Sequence, residues 1–260
     1  MRRIAFCVLP AAYAACWRGA PAPPPPAPRP PLATVRPPLE HGLGAVQPLR
    51  GPVLVLTPRG LYLVRDAGGS PVVVPAGAAR LTLAHIASAL DAAGVPRARG
   101  LAFPGVPVVA AGTVSSATIG ELADALRDAG RCLVAVVEAT RRGEQPRLAA
   151  VGPGDCTVAG GGDDTVQLTI DIAPDHTWVG ISRVNEFFDI PRPDATGKLE
   201  PALKSNKTSA FFTDRSDVEV CGELAVPYSD LVEAAELAVQ AGFTSPLFVS
   251  LQRASATPQL

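Results

Sequence analysis

The chain predicts an α+β protein made of two similar small modules, each a mixed β-sheet with two helices on one face, in the order β-β-α-β-α-β. Three observations carry this expectation: β-branched hairpin runs that recur after about 110 residues, helical stripes stopped by Ala-Gly at the same interval, and an apolar content suited to packed cores. With 260 residues the chain has room for two domains. A hydrophobic content of 47% and a mean hydropathy of +0.23 exclude wholesale disorder. The 23 basic and 24 acidic residues nearly cancel, which removes the usual electrostatic basis for a nucleic-acid partner.

The N-terminus reads as an export segment over residues 1–15. Arg2 and Arg3 precede an uncharged apolar stretch, Ile4 to Ala15, that is too short for the ~20 residues of a membrane span. Two processing sites are open. Ala12-Tyr13-Ala14 is an A-x-A site that releases Ala15, whereas Ala14-Ala15-Cys16 has the form of a lipoprotein site with Cys16 as the acylated residue. Residues 16–48 read as a proline-rich linker. Ten of the eighteen residues in 21–38 are proline, which fixes φ and removes amide donors, so an extended stalk on the order of 55 Å is expected.

The first module is expected over 49–142 and the second over 143–254, followed by a tail at 255–260. Val53-Leu54-Val55-Leu56, the turn Pro58-Arg59-Gly60 and Leu61-Tyr62-Leu63-Val64 form a hairpin signal. Val166, Leu168, Ile170 and Ile172, then Pro174-Asp175, then Trp178, Val179 and Ile181 repeat it, with Pro174 lying 116 residues after Pro58. Leu81, Leu83, Ile86, Ala87 and Leu90 approximate a helical stripe; Leu199, Ala202 and Leu203 are its shorter counterpart. Strands are expected at Leu101-Ala102-Phe103 and at Ala210-Phe211-Phe212. The final pair matches best: the stripes Ile119, Leu122, Ala123, Leu126 and Leu231, Ala234, Ala235, Ala238 stop at Gly130 and Gly242, 112 residues apart, and strands follow at 133–137 and 247–249.

In the second half, Phe211-Phe212-Thr213-Asp214, then Val226-Pro227-Tyr228 opening a helix, then Ala241-Gly242-Phe243 before Leu247-Phe248-Val249-Ser250, resembles the C-terminal half of ExbD/TolR periplasmic domains. The likeness covers about 165–251. In 50–139 only the element order matches, because Ser116-Ala117-Thr118 replaces the Pro-Tyr helix start and no aspartate follows Phe103. The resemblance implies a periplasmic module that touches a TonB/Tol-type protein, a sister chain or peptidoglycan. The family's membrane helix carries a proton-responsive aspartate; no acid stands in the apolar stretch here, so proton conduction is not implied.

Enzyme chemistry finds little support in the residues. His41, His85 and His176 stand in no metal-ligand spacing. Ser182 lacks the second glycine of a nucleophile elbow. Lys204-Ser205-Asn206-Lys207 lacks the partner motifs of Ser/Lys acyl enzymes. The glycine-aspartate run at 160–164 lacks the ligand spacing of a calcium loop, and Glu233 with Glu236 reads as a solvated helix face. No catalytic, cofactor or metal residue is therefore assigned. Of Cys132, Cys156 and Cys221, the expected bridge is Cys156–Cys221, with Cys132 a buried apolar residue. Tyr228, Trp178, Phe187 and Phe188 are the candidate partner contacts, Tyr228 also fitting under its own helix and the phenylalanine pair also fitting as a lid.

The reading is a non-enzymatic envelope protein, periplasmic or an outer-membrane lipoprotein, whose two modules pair within one monomeric chain. A secreted small α/β enzyme and a peptidoglycan-binding lipoprotein unconnected to a motor are the alternatives.

Overall fold

A computed structural model describes residues 30–41, 46–49, 51–140, 145–152, 154–157, 165–184, 186–192 and 195–258. The export segment, Cys16, the first part of the proline-rich stretch and the 160–164 run lie outside the described residues. No helix among the described residues is long and apolar enough to cross a membrane.

The fold is mixed α+β, with three sheets and four α-helices among the described residues. The hairpin β3 (Val53–Thr57) and β4 (Gly60–Val64) forms as its sequence predicts. Beyond it come β6 (Arg80–Leu81), helix α1 (Ile86–Ala92), β7 (Ala102–Ala110), helix α2 (Ser116–Asp128) and β8 (Cys132–Ala139). In space these strands lie in the order β6-β4-β3-β7-β8. β3, β7 and β8 are mutually parallel, whereas β4 is antiparallel to both of its neighbours.

The second sheet uses β11 (Leu168–Ile172), β12 (His176–Ile181), β13 (Glu186–Pro191), helix α3 (Ala195–Lys207), β14 (Asp217–Gly222), helix α4 (Tyr228–Gln240) and β15 (Ser245–Phe248). Its order is β13-β12-β11-β14-β15, with β11, β14 and β15 parallel and β12 antiparallel to both neighbours. Residue registers agree as well. Val55 lies between Tyr62 and Val109, and Asp171 lies between Trp178 and Cys221.

Several sequence expectations are corrected here. The two strands that follow β8 pair within the first sheet, although the second module is expected to begin at 143: β9 (Arg147–Val151) is antiparallel to β8, and β10 (Asp155–Thr157) is antiparallel to β7. Burial is the reason, since β8 is buried at every residue and needs cover on both faces and on its free edge. The linker does not remain an unpaired stalk to residue 48. β1 (Ala33–Val35) pairs with β5 (Val72–Val74), and β2 (Val46–Pro48) pairs with β9. Extended backbone suits polyproline and strand alike, and Ala33, Thr34 and Val35 keep the amides that proline lacks. Leu81 is in a strand rather than at the start of α1. Residues 210–214 form turns, and the strand lies downstream at β14.

The β1–β5 ribbon covers one face of the first sheet, where Val35, Val72 and Val74 meet Val53, Val55, Tyr62, Val64 and Val109. The opposite face packs on the helices. Leu54, Val106, Val108, Leu133 and Ala135 belong to a continuous core with Ile86, Leu90, Ile119, Leu122 and Leu126, and this core runs on into α4 and the second sheet. Helix α2 touches β14 and β15 as well as its own β8, and α4 touches β9, so these two helices share the middle of the molecule.

Ser115 and Pro227, 112 residues apart, form an antiparallel bridge in which the Ser116 amide donates to Val226 O (2.8 Å) and the Tyr228 amide donates to Val114 O (2.7 Å). Each bond maps onto the other under the same 112-residue offset, the signature of an isologous contact. The offset also joins the helix-ending glycines Gly130 (φ +72°) and Gly242 (φ +103°), in a left-handed conformation where a Cβ is disfavoured.

Both ends of the described chain cross between the halves. The Glu40 amide donates to Glu138 O, and His41 reaches α4, its Nδ1 lying 2.6 Å from Glu236 Oε2. At the other end, the Ser250 amide donates to Asp124 Oδ1 on α2 (3.3 Å), and Arg253 makes two bonds to Asp128. The tail then covers the second sheet: the Ser255 amide and hydroxyl donate to Glu219 at 2.7 and 2.8 Å, and Ala256 packs against Gly180.

Candidate functional site

A groove of about 700 Å³ opens between α3, α4 and the β11–β12 turn. The local sequence accounts for its walls. Pro174-Asp175 turns the hairpin, Pro227 starts α4 with an extended backbone, and the helical spacing of Asp230, Glu233, Ala234 and Leu237 aims one face of α4 into the concavity. Ile172, Leu199, Val226 and Leu237 contribute apolar lining. Arg192, the residue after β13, is held on both sides: Nη1 donates to Ala173 O (3.2 Å), and Nη2 pairs with Asp230. Asp230 stands in the first turn of α4, where the helix dipole favours a carboxylate.

The sequence-predicted contact residues are not gathered in this groove. Tyr228 is fully buried beside Phe248, at a centroid distance of 6.4 Å, and burial pushes its phenol above the usual range. Of the two placements that the sequence allows, the ring takes the one in the core and not the one facing a partner. The bond from its amide to Val114 O holds its backbone where the two halves meet. Trp178 is half-buried and stacks on His176, with centroids 5.5 Å apart and planes 7° apart. The carboxylate of Asp189, 2.5 Å from His176 Nδ1, raises the imidazole above its ordinary value. Phe187 is half-buried over Gly180, whereas its neighbour Phe188 is 48% exposed on β13. The phenylalanine pair lies on the edge strand β13, and β6 takes the matching edge of the first sheet.

The expected Cys156–Cys221 bridge is also corrected. Cys156 bonds Cys132, with a Cα separation of 6.2 Å, and Cys221 is a free buried thiol. Strand pairing decides this. β10 lies alongside β7 in line with the start of β8, which sets Cys156 opposite Phe103 and Cys132 opposite Gly105, while Cys221 lies inside the other sheet.

Two buried carboxylates escaped sequence reasoning. Glu236 is fully buried, not on a solvated face; desolvation raises its carboxyl, and His41 partly opposes that. Asp171 is 4% exposed in the middle of β11, and burial pushes it up to about 6, with the Glu223 charge adding to the rise and the Cys221 thiol opposing it. Its place between the apolar Ile170 and Ile172 reads as a solvated face, yet its side chain is buried beside Trp178 and Cys221.

No group of three or more His, Cys, Asp or Glu side chains poised for a metal occurs among the described residues. No family model matches the chain, and no curated protein and no solved structure is detectably similar to it.

Proposed function

We propose that this chain is a non-enzymatic periplasmic binding protein, similar to the periplasmic part of ExbD/TolR proteins, in which two modules of one chain take the place of a homodimer. The observation that carries the reading is the reciprocal bonding at Ser115 and Pro227, where each half presents the same backbone positions to the other. The common strand order, the shared registers and the 112-residue offset support it. Each module on this reading has the order β-β-β-α-β-α-β, one strand more than the sequence predicts: the two-residue β6 in the first and the six-residue β13 in the second.

Binding runs through the free edge of β13. That strand offers main-chain donors and acceptors on its outer side and the exposed ring of Phe188, the combination that accepts an added partner strand. Glu186, Asp189 and Pro191 on the same strand protect it against pairing with its own kind. The partner is a TonB/Tol-type envelope protein, with peptidoglycan as the alternative ligand of the family.

Light scattering on the purified chain is expected to give a monomer; a stable dimer overturns the paired-module reading. Co-sedimentation with isolated sacculi and capture by the purified periplasmic domain of a TonB-type protein then separate the two ligands. Capture that Phe188→Ser weakens supports the strand-edge role, whereas sedimentation with sacculi alone assigns the wall instead.

A further inference from the structure

Helices α2 and α4 each hold a crossing end of the chain by an acid at the same place. Asp124 on α2 and Glu236 on α4 are 112 residues apart, the offset that relates Ser115 to Pro227. Asp124 accepts the Ser250 amide at 3.3 Å and lies 3.6 Å from Arg253 Nε, so a side chain that keeps its charge backs that clasp. Glu236 takes His41 instead: its Oε2 lies 2.6 Å from the ring Nδ1 and 3.4 Å from the backbone amide. A permanently charged partner at one end of the molecule is thus replaced by a titratable one at the other.

The two members of the N-terminal clasp sit in different surroundings. Glu236 is fully buried whereas His41 is 38% exposed, and Glu236 Oε1 has no hydrogen-bond partner among the described residues. His41 is the cation that favours the ionised carboxyl, and Glu40, the other charge acting on it, opposes ionisation. Charged groups on the elements packed against α4 are engaged or turned elsewhere. Asp124 and Asp128 of α2 pair with Arg253, and Arg127 acts on Asp128. Asp217 and Glu219 of β14 are bound to Arg215 and Ser255, Lys204 of α3 to Glu200, and Lys207 to the carbonyls of Phe212 and Thr213. Glu121 of α2, Arg147 of β9 and Lys198 of α3 are exposed, Asp171 alternates with the core-facing Ile170 and Ile172, and Asp230 and Glu233 of α4 itself line the groove.

Residues 38–40 are fastened to the first sheet by bonds of another kind. The Glu40 amide donates to Glu138 O (3.1 Å) and the Glu138 amide to Pro38 O (2.8 Å), and neither bond involves a titrating group. From the buried acid, its cationic partner and this separate fastening we infer that His41 and Glu236 form a proton-released latch: uptake of a proton by Glu236 frees His41 from α4, while residues 38–40 stay on the first sheet. Burial raises the carboxyl above its ordinary 4.5, and His41 opposes that rise. Undocking removes the opposition, so Glu236 holds a proton more tightly with His41 away than with it in place. Docking is therefore fully supported above the value of the undocked carboxyl and is lost as pH falls through that of the docked one. Protonation turns a charge-assisted bond into an ion–neutral one, which weakens docking by roughly tenfold or more.

Exchange of single backbone amides, read by NMR on the full chain and corrected for its intrinsic pH dependence, tests the latch between pH 6.5 and pH 4.5. The carbon-13-labelled carboxyl of Glu236 is titrated alongside. Protection of the His41 amide is expected to fall roughly tenfold with the midpoint of that carboxyl, while the Glu40 and Ser250 amides change by less than about threefold. Glu236→Gln keeps an acceptor for Nδ1–H without a titrating group, and is expected to hold the His41 amide equally at both pH values. In His41→Gln, the amide at position 41 is expected to show at pH 6.5 the low protection that the parent reaches at pH 4.5. Full protection of the parent at pH 4.5, a loss of equal size in Glu236→Gln, or a midpoint that departs from the carboxyl's overturns the inference. A loss shared by core amides such as that of Val55 would be general loosening of the fold, and also overturns it. The parent titration needs no variant, so the test stands even if a substitution prevents folding.

Discussion

Replacing Asp171 by valine is expected to stabilise the protein at neutral pH. The carboxyl has an ordinary value of 3.8 and is pushed up to about 6 by burial between Trp178 and Cys221. The folded state therefore holds this proton more tightly than the unfolded chain does. Stability falls as pH rises from about 4 through about 6 and is level above that. At about 1.4 kcal/mol per tenfold, the penalty on the ionised form is roughly 3 kcal/mol at pH 7.5 and about 0.5 kcal/mol at pH 4. Valine fits the strand, and Val55 fills the matching place beside Tyr62 and Val109, fully buried. Urea unfolding of the parent and Asp171→Val at both pH values measures the difference. A gain of roughly 3 kcal/mol at pH 7.5 corresponds to a rise in Tm of about 6–12 °C for a chain of this size. No gain at pH 7.5, or an equal gain at pH 4, refutes the argument, because the benefit must follow ionisation.

Other outcomes follow from the packing. Replacing Cys132 and Cys156 together by alanine opens a loop of 24-residue separation and is expected to cost about 3.5 kcal/mol in the chain-entropy model, read by urea unfolding. Non-reducing peptide mapping is expected to recover Cys132 joined to Cys156, with Cys221 alkylated only after unfolding. Gly120→Ala places a Cβ 2.7 Å from the Ser250 Cα in the other half, and the overpacking is expected to cost about 1–3 kcal/mol, read as a lowered unfolding midpoint. Phe188→Ser is expected to stay within about 0.5 kcal/mol of the parent, because nearly half of the side chain is already in water.

Local signals were legible in the sequence and long-range ones were not. The β3–β4 and β11–β12 hairpins, α2 and α4, and the glycines that end those helices are each written in a dozen neighbouring residues. The Phe211-Phe212 segment misled because Phe212 is buried from a turn, edge-on to Phe243 at 6.2 Å, and burial from a loop leaves the same apolar mark as a strand. β14 carries Asp217 and Glu219 on a face that polarity assigns to solvent, yet both are buried. Their partners, Arg215 for Asp217 and Ser255 for Glu219, sit outside the strand. Cysteine pairing likewise depends on which strand lies beside which, and spacing alone does not encode that. At the candidate groove, Asp230 and Glu233 read as ordinary helix-surface acids until the β11–β12 turn places Asp175 opposite them.

The attachment of His41 to Glu236 sets where a load from outside would enter. Tension applied through the preceding proline-rich stretch peels β1 from β5 first, one short ladder at a time, and next meets the bonds around Glu138. Past that point the clasp passes the pull to α4 and the sheet it covers, so both sheets bear it together instead of being drawn apart.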